Sequence, residues 1–268
     1  MRPVVRSRGG GAARLIARGL WVSAELVVTL GVVLLLLVVH QLWWTNREAR
    51  AEAGSAVRSL QREWDGPVVD GEVAEGSPQG SPLPSASGRG AEAAPAAPVE
   101  SGLPVTSEAP ARTRPAPRWD QAYAVLRIPR IGLTAPVAEG TGKGGVLDRG
   151  YVGHYARTAQ AGQAGNFALA GHRNTHGEPF RRIDRLRSGD RITVETPDAV
   201  YTYTVGKRLA RTTPSDSGVI APVPRSNITT SVGYSAPGHY LTLTTCTPEF
   251  SSRYRLIVWG KLTSMRPR

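Results

Sequence analysis

A run of apolar residues from 20 to 44 constrains this chain before anything else does. Its centre, 26–39, holds only Thr29 and Gly31 outside the large aliphatics. About 20 such residues at roughly 1.5 Å each span a bilayer core, so the run is predicted to be a single transmembrane helix. Glu25, His40 and Gln41 are its main interruptions, and Trp43 and Trp44 at its far end suit the headgroup interface. Arg2, Arg6, Arg8, Arg14 and Arg18 precede it without an acid. That pattern puts residues 1–19 in the cytoplasm and everything after the run outside, on a single-pass membrane protein. A cleaved signal peptide is the rival reading. It is disfavoured because two bulky tryptophans stand where small residues would mark a cleavage site.

Residues 45–65 are rich in Ala, Glu and Arg and carry Leu60 and Trp64. They read equally well as a short helix or as the start of a linker. From 66 to 117 the composition shifts to Pro, Gly, Ser and Ala, with ten of the chain's 21 prolines and no sustained apolar period. Residues 45–117 are therefore expected to be an extracellular stalk and linker. As a flexible coil the Pro-rich part spans on the order of 40 Å, enough to hold a domain well off the membrane. Lys plus Arg outnumber Asp plus Glu by 33 to 21. Such a balance suits nucleic acid, a membrane surface or an anionic wall. The arginines concentrate before the apolar run and in the tail 265–268, and no zinc-finger spacing or RNP-like aromatic run occurs, which argues against nucleic acid.

The remainder, 118–268, is long enough for one good core. Strands are predicted at 124–128, 134–137, 166–170, 191–196, 200–209, 240–245 and 253–262, with short helices at 148–150 and 179–186. Many short strands divided by Gly, Pro, Asn and Asp turns argue a mainly β domain, a barrel or a sandwich. The segment 212–238 lacks a strong period and holds Pro214, Pro222, Pro224 and Pro237. A loop that long in a compact domain is usually functional.

The last strands carry the chemistry. Tyr240-Leu-Thr-Leu-Thr-Thr-Cys246 alternates like a half-buried strand and ends on the chain's one cysteine. Pro248 stops it, since proline donates no ladder hydrogen bond. The strand that follows brings Arg253 or Arg255 back beside the thiol. The thiolate is the reactive form and a nearby cation favours it. The bland alternative is a buried core cysteine. Five histidines are available as acid–base partners. His40 lies in the apolar run, and His239 is about 23 Å from Cys246 along one strand. His172 stands foremost, because it directly follows the strand 166–171 with Gly171 letting the backbone turn. His154 and His176 stay open. Arg253 and Arg255 are two apart on a strand and about 6.6 Å from each other, so periodicity does not choose between them.

These residues carry a resemblance. Thr242-Leu-Thr-Thr-Cys246 resembles the strand-terminal T-L-x-T-C motif of sortases. Ala170-Gly-His-Arg173 is similar to the family's A-G-H segment, and Arg255-Leu-Ile-Val-Trp259 to the strand that supplies its arginine. The resemblance covers about 125–262, and Thr-Thr-Cys-Thr-Pro-Glu-Phe looks most like actinobacterial class E sortases. It implies a closed eight-stranded mixed barrel behind the transmembrane helix, and a cysteine transpeptidase of the bacterial cell surface. It implies Cys246 as nucleophile, His172 as acid–base and Arg255 as hydrogen-bond donor to substrate or oxyanion. Thr245 matches a position that helps hold the substrate threonine, and Arg253 remains a substrate-binding candidate. The implied partners are a sorting pentapeptide, Leu-Ala-x-Thr-Gly or Leu-Pro-x-Thr-Gly, and a cell-wall or pilin amine. Class E resemblance implies Ala at the second position.

No cofactor is expected. No acidic cluster reads as a calcium site and no zinc spacing stands out, so metal independence is the expectation. An L,D-transpeptidase is disfavoured because its Ser-His-Gly-Cys arrangement is absent. A non-catalytic wall-binding β-domain, with Cys246 in its core, is the alternative outside enzymology.

Overall fold

A computed structural model of the chain describes residues 10–66 and 117–268. Most of the expected linker, 67–116, and the first nine residues of the expected cytoplasmic segment lie outside the described residues. Residues 10–65 and 117–268 belong to one compact unit.

The apolar run is the middle of a much longer helix, α1 (Gly10–Trp64). No proline interrupts these 55 residues, and the part past the apolar run is rich in Ala, Glu and Arg, which are strong helix formers. Of the two readings of 45–65, the helix is the one observed, and it is continuous with the apolar run. The side chains from 18 to 41 whose burial is described are all exposed. By length and composition α1 can cross a membrane.

Past the apolar run α1 changes character. Ala49, Ala53, Val57 and Leu60 recur at helical spacing and are buried. Ala53 packs with Ala138, Val146 and Tyr151, and Val57 and Leu60 pack on Val125. Polar contacts flank this seam. Asn46 Nδ2 donates to Glu178 at 3.2 Å, Arg50 Nη2 donates to Glu178 at 3.0 Å, and Gly177 N–H donates to Asn46 Oδ1 at 3.1 Å. Gly150 lets helix and barrel touch. It sits at φ +77°, and a Cβ there would lie 2.7 Å from the Ala49 carbonyl oxygen. Through these contacts α1 meets the domain within a turn of Trp44.

The domain is a closed barrel of eight strands in the order β1-β2-β3-β4-β7-β8-β6-β5. They are β1 (Ala122–Ile128), β2 (Leu133–Glu139), β3 (Val152–His154), β4 (Gly165–Ala170), β5 (Arg191–Glu195), β6 (Ala199–Thr212), β7 (His239–Thr247) and β8 (Tyr254–Pro267). Seven were expected within a few residues. β3 escaped because three residues around a glycine show no period; it is held by parallel pairing to β2 and antiparallel pairing to β4. Alternation sorts the side chains. Phe167, Leu169, Leu241, Leu243, Leu256 and Val258 point into the barrel core. Tyr240, Ile257 and Trp259 point outward and form a second cluster with Leu209, Val219 and Tyr234.

That outer cluster is roofed by the long segment between β6 and β7. Its missing period has a polar cause. The buried Asp216 carboxylate accepts from Thr212 Oγ1 at 2.5 Å, Ser226 Oγ at 2.6 Å and Asn227 N at 2.8 Å, folding the segment around one anion. Trp259 Nε1 donates to the Val219 carbonyl at 3.0 Å and pins it to β8.

The seam with α1 yields a test. Ala53→Asp puts a carboxylate between apolar walls, and the helix either undocks or carries an unpaired buried charge. The chain is expected to lose about 2 kcal/mol and roughly 4–8 °C of Tm, read by thermal unfolding in detergent. An unchanged Tm would show that the seam contributes nothing to stability.

Candidate active site

β4 and β7 run parallel with Ala170 opposite Thr244. The Gly171 N–H extends that ladder to the Thr244 carbonyl at 3.2 Å. Carrying the register two residues further sets His172 beside Cys246. β8 runs antiparallel to β7 with Arg255 opposite Cys246. Strand alternation then puts these groups on one face. Cys246 follows Tyr240, Thr242 and Thr244 outward, and Arg255 precedes Ile257 and Trp259 on the same outer surface. The thiol is half-buried rather than a core residue.

The two arginines are now distinguishable. β8 begins at Tyr254, so Arg253 lies in the preceding turn rather than on the strand as expected. Its guanidinium sits over the Tyr254 ring at 5.3 Å, away from the ladder. Arg255 Nη1 donates to the carbonyls of Ser252 at 2.8 Å and Tyr254 at 3.1 Å. Its Nε and Nη2 make no hydrogen bond among the described residues.

Thr245 points the other way. It is 3% exposed, and its hydroxyl donates to the Gly171 carbonyl at 2.8 Å. That bond ties the residue before Cys246 to the residue before His172. Gly171 is also placed differently from the expectation. Its backbone does not use the left-handed region; a Cβ would collide with the Phe180 ring at 2.8 Å. Close packing, not turning, requires the glycine.

His172 is anchored by a residue that the sequence reading did not single out. Its Nε2 lies 2.8 Å from Asp148 Oδ1, and its Nδ1 makes no hydrogen bond among the described residues. Burial pushes the imidazole below its ordinary value, opposed by the hydrogen bond and charge of Asp148, and assisted by His176 and Lys143. The His176 ring is 5.3 Å from that of His172. Arg173 was quoted in the motif without a role. It is buried, and its Nη1 donates to Thr247 Oγ1 at 2.9 Å and to the Cys246 carbonyl at 3.4 Å. It straps the histidine loop to the end of β7. Asp148 is far from His172 in sequence, so only the fold could have paired them.

The other histidines separate cleanly. His154, left open by the sequence, is fully buried on β3. Its Nδ1 meets Glu139 at 2.7 Å and its Nε2 meets Thr158 at 2.9 Å. Burial holds its pKa down although Glu139 pulls the other way. His239 starts β7, at the end away from Cys246.

The arrangement is a half-buried thiol flanked by a carboxylate-anchored imidazole and a guanidinium with unused donors. It can perform acyl transfer through a thioester. The model of the family described as "Sortase domain" matches residues 126–263. Sortase SrtE1 of Streptomyces coelicolor is 41% identical over 272 residues, covering 100% of this chain and 63% of that protein. SrtE2 of the same organism is 31% identical over 254 residues, covering 93% of this chain and 84% of that protein. The chain thus spans less than two thirds of the length of SrtE1. A crystal structure of Sortase E1 from S. coelicolor, with a tripeptide in its active site, superposes with a TM-score of 0.53 at 52% identity, over 56% of this chain and 92% of that one. The SrtF sortase of Corynebacterium diphtheriae gives 0.51 at 31% identity, over 59% and 92%.

The electrostatics of His172 are open to measurement. In a Cys246→Ala chain followed by NMR, the His172 ring is expected to titrate below the ordinary 6.5. Asp148→Ala should lower it further, since burial then acts with less opposition. A rise on removing Asp148 would contradict this account of the site.

Proposed function

We propose, for a chain that belongs to the sortase family, that Cys246, His172 and Arg255 form the site of a membrane-anchored transpeptidase acting on sorting signals outside the cell. The observation that supports it most is the shared outer face, where two strand registers converge on one thiol. In this reading the Cys246 thiolate attacks the threonine carbonyl of a Thr–Gly bond. The carbonyl oxygen takes up negative charge, and Arg255 donates to it or to the neighbouring peptide carbonyl. Preorganised donors of this kind contribute several kcal/mol to a transition state. The C–N bond then breaks and the glycine amine leaves with a proton from His172. A thioester on Cys246 remains. An acceptor amine attacks it, gives its proton to His172, and expels the Cys246 thiolate as the new amide bond forms. The thioester retains the acyl energy of the broken amide, so no nucleotide is consumed.

His172 exchanges protons through Nδ1, because Nε2 is engaged with Asp148. Thr245 and Arg173 act as positioning residues that hold the ends of β7 and β4 together. Arg253 lies in the turn before β8, where it can meet the peptide at the rim of the site. The ordered segment between β6 and β7 forms a wall of the peptide groove beside Arg255. Residues 20–44 cross the bilayer with the N-terminus inside, and residues 45–65 carry the barrel directly on the outer surface. The pentapeptide has Ala or Pro at its second position, with Ala favoured by the similarity to the Streptomyces sortases E. The acceptor is an amine of a wall precursor or a pilin.

Fluorogenic peptides carrying Leu-Ala-x-Thr-Gly and Leu-Pro-x-Thr-Gly, with an added glycine-type amine, test this reading. The expected outcome is Thr–Gly cleavage with amine-capped product, abolished in Cys246→Ala. Arg255→Ala should lower kcat about 10²–10³-fold, while Arg253→Ala should act mainly on KM. A folded chain that cleaves neither peptide, or a Cys246→Ala chain that still cleaves them, would overturn it.

A further inference from the structure

The histidine loop brings together more ligating chemistry than acyl transfer uses. Asp148, His172 and His176 each offer one donor atom, and these atoms lie within 4.8 Å of one another. His172 Nε2 is 2.8 Å and His176 Nδ1 is 3.6 Å from the same Asp148 Oδ1. A tetrahedral zinc with bonds of about 2.0–2.1 Å needs donors roughly 3.3 Å apart, so the two separations bracket the requirement. His172 and His176 are spaced H-x3-H, a spacing that the sequence reading did not single out as a metal signal.

A second observation is independent of that convergence. His176 Nδ1 is buried and has no hydrogen-bond partner, and on the same loop Asn174 Oδ1 is buried without one. An orphaned buried polar atom in a native fold calls for an occupant such as an ion or water. The loop conformation is also held. His176 sits at φ 50° and Glu178 at φ 55°, and Glu178 is fixed to α1 through Asn46 and Arg50.

We propose that Asp148, His172 and His176 form an inhibitory binding site for a divalent transition metal of the zinc type. Two imidazoles and one carboxylate suit zinc and are poor ligands for calcium, which takes six to eight oxygens. Three protein ligands leave one coordination position open to water. Cys246 is not part of the group. Coordination through Nε2 fixes the remaining ring proton on Nδ1 and removes the imidazolium form. His172 then neither donates to a leaving amine nor accepts from an incoming one. The inhibitory consequence rests on the proposed role of His172; the binding itself does not. It is also consistent with the expected metal independence of the reaction, since the ion blocks turnover rather than supporting it.

The test uses the full chain in detergent and zinc alone as probe. Calorimetry on Cys246→Ala is expected to show one zinc per chain, with no binding of calcium. Adding His176→Ala or Asp148→Asn should weaken binding at least tenfold. In the wild-type chain zinc should inhibit turnover and EDTA should reverse it. His176→Ala, normalised to its own metal-free rate, should need at least tenfold more zinc. Absence of binding by Cys246→Ala, with binding by the wild type, would assign the metal to the thiol and overturn the proposal. Unchanged affinity in His176→Ala would overturn it as well. Because the calorimetry uses a chain without the nucleophile, it remains readable even if no peptide is ever cleaved.

Discussion

Parallel pairing of β4 with β7 is the constraint on which the site depends. Both strands run toward the same end of the barrel, so two sequence segments more than 70 residues apart finish side by side. The antiparallel partner β8 then returns from that end and delivers Arg255 opposite Cys246. None of the three groups needs an unusual backbone to reach the others. A slip of one residue in either register would turn Cys246 toward Leu243 and the barrel core. Thr245, on the inner face, opposes such a slip through its bond to the Gly171 carbonyl. Arg173 does so as well, through its bond to Thr247.

A second layer of restraint comes from α1. It packs on the segment 146–151, which carries Asp148, and on Gly177 and Glu178, which follow His176. The groups that hold His172 are therefore backed by a helix that also reaches the apolar run. The contact is made partly by the Arg50–Glu178 ion pair, whose guanidinium is exposed and whose carboxylate is buried. The buried alanines and Gly150 give the seam its geometry.

How much of this could be read beforehand follows from local pattern. The strands with clean alternation, such as Tyr240 to Thr245, were legible because period two needs only neighbours in sequence. So was the strand-terminal thiol, because Pro248 marks the stop. β3 was not legible, since its three residues owe their extension to two partner strands. Asp148 was read only as part of a short helix, because its pairing with His172 is a product of barrel closure. Arg253 and Arg255 could not be separated by spacing, because only the pairing of β8 with β7 sets Arg255 opposite Cys246. His154 stayed open because Glu139, Tyr123 and Thr158, which satisfy it, are distributed over three segments. The helix from 45 to 65 was ambiguous for a related reason. Its propensity is ordinary, and the barrel surface that buries Ala53 and Val57 is remote in sequence.

The central claim is that Cys246 on the outer face carries an acyl group during turnover. The most direct measurement is the intact mass of the full chain quenched in acid during reaction with a sorting pentapeptide and no added amine. The account predicts an adduct equal to the peptide fragment ending in threonine, carried on Cys246, released by hydroxylamine and absent from Cys246→Ala. Cleavage of the peptide without any such adduct, under conditions where hydrolysis of a thioester is slow, would contradict it.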